Sequence, residues 1–161
     1  MSKFDLEWDT FLLGDVYKVT SGDMSMTKST YKSSGFTAFS ASGPDGFVEE
    51  YQREGVGIVV SSVGAKAGKV FKASGQWTAI KNTIVIESVN EKFDIEFLFY
   101  LLSTHVILTQ EGGAQPFISQ KQILKTEIKV PPLPGQKKIA EIFSVIDKAI
   151  SKNLIKLKKQ Y

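Results

Sequence analysis

VPPLPGQKKIAEIFSVIDKAISKNLIKLKKQY, residues 130–161, decides the architecture. Three prolines in four residues (Pro131, Pro132, Pro134) stop whatever precedes them, because proline has no amide hydrogen and a fixed φ. Proline also suits the first turn of a helix. From Pro134 to Tyr161 only Gly135 interrupts helical sequence, which predicts a helix about 40 Å long at roughly 1.5 Å per residue. Its apolar residues, Ile139, Phe143, Ile146, Ile150, Leu154, Leu157 and Tyr161, are spaced 4, 3, 4, 4, 3, 4. Two repeats of eleven, about 3.67 residues per turn, keep such a seam nearly straight. Ile142, Ala149 and Ile155 widen it. A body of this size cannot cover a stripe of that length, so it calls for a partner helix; folding back on its own domain is the alternative. Lysines 148, 152, 156, 158 and 159 would repel in a parallel pair. An antiparallel homodimer sets them against the half holding Glu141 and Asp147.

Upstream, the period changes. Residues 36–41, 57–63, 69–72, 83–88 and 127–130 alternate or are β-branched and read as strands. SGPDG (42–46) reads as a turn and GAKAG (64–68) as a hairpin loop. Residues 21–35 read as a long Ser/Thr/Gly-rich loop. Residues 94–108 shift to helical spacing with Asp94 as N-cap, and Ser119 to Gln122 forms a capping box for a short helix. Strands first and helices later give an α+β fold: a β-rich domain over residues 1–133, then a dimerisation or spacer helix over residues 134–161.

Much chemistry is excluded. The 161 residues contain no cysteine and one histidine, so thiolate zinc sites, cysteine nucleophiles and multi-histidine metal sites are ruled out. His105, inside an expected helix, reads as structural. Pro44-Asp45 and Glu127-Ile128-Lys129 resemble nuclease elements but stand too far apart; the 64–68 loop lacks a G-K-[ST] ending. No apolar run reaches the roughly 18 residues of a membrane span, and residues 1–8 lack the apolar core of a signal peptide, so a reducing cytoplasm is expected. No cofactor or metal is expected. A binding module remains, with a metal-dependent nuclease or a protein-only adaptor as rivals.

The net charge of +3 hides a division: residues 136–161 carry +5 and residues 1–135 carry −2. Within the latter, residues 24–44, 61–83 and 112–124 hold lysines and no acid, a pattern suited to an anionic partner. Charge alone leaves a solvated surface of fluctuating sign as the alternative to a nucleic acid; were the partner double-stranded DNA, Lys28, Lys32, Lys66, Lys69, Lys72 and Lys121 would meet its phosphates. Tyr31, Ser34, Gln115 and Ser119 are polar groups of the kind that meet base edges, in the segments 23–34 and 114–119 expected to carry specificity. The same side chains also satisfy turns.

Several segments in order resemble the DNA-specificity (S) subunits of type I restriction-modification systems. Trp8 with Leu13-Gly14-Asp15-Val16 resembles the family's W…LGD-V opening. FTAFSASG (36–43) is similar to its Y-P-V-Y-S-A-S-G strand, residues 63–70 to its glycine hairpin, and GGAQPFIS (112–119) to the loop before its short helix. VPPLPGQKKIA (130–140) is similar to the I-P-x-P-P-L-x-E-Q-x-x-I-A junction, with Gly135 where glutamate is frequent. The resemblance implies a target recognition domain that reads half of a split DNA site. It implies a non-catalytic subunit docked on methyltransferase (modification) subunits and, through them, on a restriction subunit. S-adenosylmethionine, ATP and magnesium then belong to those partners. Such subunits typically carry two recognition domains and this chain carries one, as a half-subunit that dimerises or a piece of a longer subunit.

Overall fold

The computed structural model describes residues 7–104, 108 and 110–159. In chain order the elements are β1 (Asp9–Leu12), α1 (Leu13–Val16), β2 (Tyr17–Ser21), β3 (Phe36–Ser40), β4 (Gly43–Val48), β5 (Arg53–Glu54), β6 (Gly57–Ser61), β7 (Val70–Ala73), β8 (Gln76–Ala79), β9 (Thr83–Ser88), α2 (Ile95–Thr104), α3 (Gln120–Leu124), β10 (Glu127–Val130) and α4 (Leu133–Lys158). The fold is α+β, as the order of periodicities predicts. His105 and Tyr161 lie outside the described residues, as do 106 and 107 near the expected end of α2 and the first six residues.

Two four-stranded sheets, β2-β9-β6-β7 and β4-β3-β8-β5, stack beside each other, and β1 pairs with β10 as a separate ribbon. β6 and β9 are buried almost throughout because each has a core on both faces. Ile58, Val60, Ile84 and Ile86 point into a large cluster with the helices; Val59 and Val85 point the other way, to Phe39, Trp77 and Ala79 of the second sheet. Each such side chain contributes roughly 1.5–3 kcal/mol by leaving water. The β-branched run GIVVS is therefore a central strand between a helical layer and a second sheet.

Two predicted helix starts form as read. Asp94 Oδ2 accepts from the Phe97 amide at 3.0 Å, and the Ser119 capping box closes on both sides. The SGPDG stretch differs from expectation. Gly43–Val48 is strand β4, paired with β3 across a register shift between Ala38 and Phe39, and the reversal is confined to Ala41 and Ser42. The bulge lets Pro44 sit in an edge strand, whose outer side is bridged by Lys32 farther along at Phe47. Gly14 of the LGD turn is a close approach: a Cβ there would stand 2.6 Å from Leu124 Cδ2 and 3.0 Å from the Leu124 carbonyl, so α1 can lie on α3.

α4 starts inside the body. Gln136 and Ala140 are buried, Ile139 and Phe143 pack against the helical core, and Phe143 stacks on Tyr100 with centroids 5.2 Å apart. Past Ser144 cover is lost: Ile146, Ile150, Leu154 and Leu157 are 46–54% exposed. Of the seven apolar positions of the seam, Ile139 and Phe143 serve the body's own core. Ile146 to Leu157 stand bare.

Candidate nucleic-acid interface

Sheet register collects the loops at one end. Ser21 of β2 pairs with Ile84, and Ser61 of β6 pairs with Thr83, so β2 and β6 end where β9 begins. β3 runs parallel to β8, so Ser40 and Ala79 end on the same level. Residues 22–30, 41–42, 62–69 and 80–82 therefore leave from one rim. The 111–117 loop joins it: the Gly64 amide donates to the Pro116 carbonyl and the Ile118 amide to the Ser62 carbonyl, both at 2.8 Å. On the far side Gln120 donates to the Val19 carbonyl at 2.8 Å and accepts from Ser21, which brings Lys121 to the rim.

Asp45 organises the rim. Its carboxylate takes Lys28 Nζ at 2.6 Å and the hydroxyls of Tyr31 and Ser40 at 2.7 Å each. Burial alone would raise this carboxyl; Lys28, Tyr31 and Ser40 outweigh it and hold it below the ordinary aspartate value. Burial, reinforced by Asp45, pushes the Tyr31 phenol up. Tyr31 lies flat on Gly46, where a Cβ would meet the ring at 2.1 Å, so glycine is required there. Asp23 is likewise occupied: Ser25 and Gln52 donate to it and lower its pKa. With Asp45 and Asp23 held internally, lysines outnumber the exposed Glu111 on the outward face. Lys28 and Lys81 flank a hollow of about 190 Å³ floored by Ser40 and Ser42, and Lys66 Nζ lies 3.5 Å from the Ser42 carbonyl. Lys69 sits 5.5 Å above the Phe71 ring.

Lys28, Lys66, Lys69, Gln115, Ser119 and Lys121 thus come together, with Tyr31 behind them. Three expected residues fall elsewhere. Lys32 pairs with the edge of β4, its amide 2.8 Å from the Phe47 carbonyl, in a hollow shared with Glu49 and Glu50. Ser34 lies farther along, toward the opposite end of β3, where Phe36 faces Val48. Lys72 points to the helical layer, 3.9 Å from Glu96 and 5.7 Å above the Phe99 and Tyr100 rings. The side chains of Ser25, Thr27, Ser29 and Thr30 bond within their own loop, and Ser119 caps α3. Gln115 is exposed at the tip of its loop. Lys81 and Asp45 are not among the expected contacts: Lys81, in an acid-free segment, lines the rim hollow, and an aspartate in SGPDG reads as a turn or nuclease-like residue until Lys28 is placed beside it.

Among the described residues no group of three or more His, Cys, Asp or Glu could hold a metal ion, and no helix is long and apolar enough to cross a membrane. Residues 5–159 match the family model for the type I restriction modification DNA specificity domain. A Mycoplasma pneumoniae protein described as a type I specificity subunit is 26% identical over 151 residues, covering 89% of this chain and 49% of that protein. The EcoprrI type I restriction enzyme specificity subunit of Escherichia coli is 28% identical over 114 residues, 70% of this chain and 28% of its own length. A crystal structure of a type I restriction-modification S subunit from M. genitalium superposes with a TM-score of 0.78 at 17% identity, over 93% of this chain and 41% of that one. The chain thus spans half or less of the length of these relatives. None of them supports the nuclease or adaptor readings.

Proposed function

The chain belongs to the family of type I restriction-modification DNA specificity domains, and on that premise we propose that its loop rim reads one half of a bipartite DNA target for a methyltransferase. One observation carries the reading: five separate loops converge on one end of the sheets, Asp45 is paired with Lys28 and Asp23 is held by Ser25 and Gln52, and Lys66, Lys69, Lys81 and Lys121 remain to meet phosphates, against the exposed Glu111. Phosphate contacts set register on the duplex, and polar tips such as Gln115 supply contacts to base edges. The module is non-catalytic; methyl transfer belongs to the modification subunit that it positions, and any restriction subunit joins through that subunit.

The bare half of α4 is read as the surface for a second copy of this chain. Ile146, Ile150, Leu154 and Leu157 form one stripe, and exposed apolar stripes of this length mark interaction surfaces. Antiparallel pairing would carry two recognition domains on a two-fold axis, suited to an interrupted inverted repeat.

The test is to supply the chain to its own modification subunit and map methylated positions across a genome. The expected result is one interrupted motif with inverted half-sites. Methylation at unrelated positions, or none, contradicts the reading.

A further inference from the structure

Gln136 is a buried amide at the start of α4, 1% exposed. It shares a helix face with Ala140 and Phe143, both apolar, so burial alone would favour an apolar side chain at 136 as well. The amide is instead fully used. Its Oε1 accepts from the Asp94 amide at 2.7 Å, and its Nε2 donates to the carbonyls of Lys92 and Pro131, each at 2.9 Å. Asp94 also caps α2, and its carbonyl accepts from the Tyr17 hydroxyl at 3.0 Å. One side chain therefore ties together the start of α4, the start of α2 and, through Tyr17, the edge strand β2. The contacts that follow, Ile139 and Ala140 in the helical core and the Phe143–Tyr100 stack about two turns on, are apolar, and beyond Ser144 nothing in the body covers the apolar seam.

We propose that Gln136 fixes the angle at which α4 leaves the body, and so sets the number of base pairs between the two half-sites, as a positioning residue that touches no DNA. The inference rests on the paired-module reading above. Apolar contacts tolerate sliding, whereas three hydrogen bonds to fixed backbone atoms are directional and costly to leave unmade. The lever is long. From Gln136 to Lys158 the helix runs about 33 Å at roughly 1.5 Å per residue, so a swing of about 10° displaces its far end by about 6 Å. That approaches two base-pair steps of about 3.4 Å. With two helices paired along their bare halves, the domains would swing instead, by a similar amount.

The experiment uses the full chain assembled with its modification subunit, on duplexes whose half-sites are fixed and whose spacer is lengthened or shortened by one or two base pairs. Gln136→Leu removes all three bonds with an uncharged side chain; Gln136→Glu keeps the acceptor for the Asp94 amide but sets a carboxylate oxygen against the Lys92 and Pro131 carbonyls. The expected result is unchanged half-site bases with methylation of off-length spacers rising toward that of the natural spacer in both variants. In parallel, Lys18→Cys and Lys152→Cys place two spin labels on a chain that has no native cysteine, and their distance distribution should broaden in the variants. Unchanged spacer preference with an unchanged distance distribution overturns the proposal. So does failure of both variants to fold, which would make Gln136 a packing residue. Loss of motif-directed methylation by the unmutated chain would instead overturn the reading on which it rests.

Discussion

The loop rim and the far half of α4 are both exposed and rich in lysine, yet they are built in opposite ways. At the rim, polar groups are tied to one another: Asp45 holds Lys28, Tyr31 and Ser40, Asp23 holds Ser25 and Gln52, and backbone bonds lock the 111–117 loop to Gly64 and Ser62. Along α4 past Ser144, lysines flank an apolar stripe with no cover. The difference teaches that positive charge alone does not name a partner. A pre-ordered polar surface suits a polyanion, because little conformational freedom is lost on binding. A bare apolar stripe suits another helix.

The largest effect should come from placing one charge on either side of the point where α4 leaves the body. Ala140→Glu buries a carboxylate in the helical core and should cost about 3 kcal/mol or more. Ile150→Glu should alter the stability of the folded body by no more than about 0.5 kcal/mol. Thermal unfolding of the two variants checks this, and equal losses would erase the division of α4 into core and free halves. Sedimentation adds the second half of the comparison. The unmutated chain should associate, and Ile150→Glu with Leu154→Glu should leave a folded monomer.

Next in size is the response to salt. Lys66→Ala with Lys69→Ala should flatten the dependence of DNA affinity on salt by up to about two units in the logarithmic slope, since each phosphate contact contributes roughly 0.9. Lys72→Gln should leave the slope unchanged, because that ammonium faces Glu96 and the rings of Phe99 and Tyr100. Titrations of the assembled complex at several salt concentrations would show both. Equal flattening by Lys72→Gln would mean that DNA also reaches the helical side.

The smallest expected effect is at Asp45. Asp45→Asn removes the ion pair with Lys28 and should cost about 1 kcal/mol, since Lys28 is largely solvated. The carboxyl is held low in the folded state, so its contribution is complete above the ordinary aspartate value and is lost as pH falls through the lowered one. Melting curves on the acid side should therefore converge for the unmutated chain and Asp45→Asn. A constant gap at every pH would assign the loss to packing.

Local physics made much of the fold legible in advance. Strand β9 from TIVIES, the caps at Asp94 and Ser119, and the start of α4 after Pro131-Pro132 all follow from side chains close in sequence. β1, β2 and β8 were not foreseen, because their short runs acquire meaning only from partners far along the chain, such as β10 for β1 and β3 for β8. The site divided in the same way. Lysine clustering in acid-free segments picks out Lys28, Lys66, Lys69 and Lys121, which the structure sets around the proposed rim, but composition says nothing of which side of a strand faces out. Lys72 therefore went unseparated from Lys69, although the strand places Phe71 and Lys72 on opposite faces. Gln136 was legible in principle, as one polar residue on an apolar helix face.

The central claim is that the rim decides which DNA is modified. The most direct measurement replaces residues 23–30 and 112–117 with those of a family relative of known target, keeps the rest of the chain, and maps methylation in the assembled complex. The account predicts that the half-site sequence changes while the spacer length stays the same. An unchanged half-site sequence would contradict it.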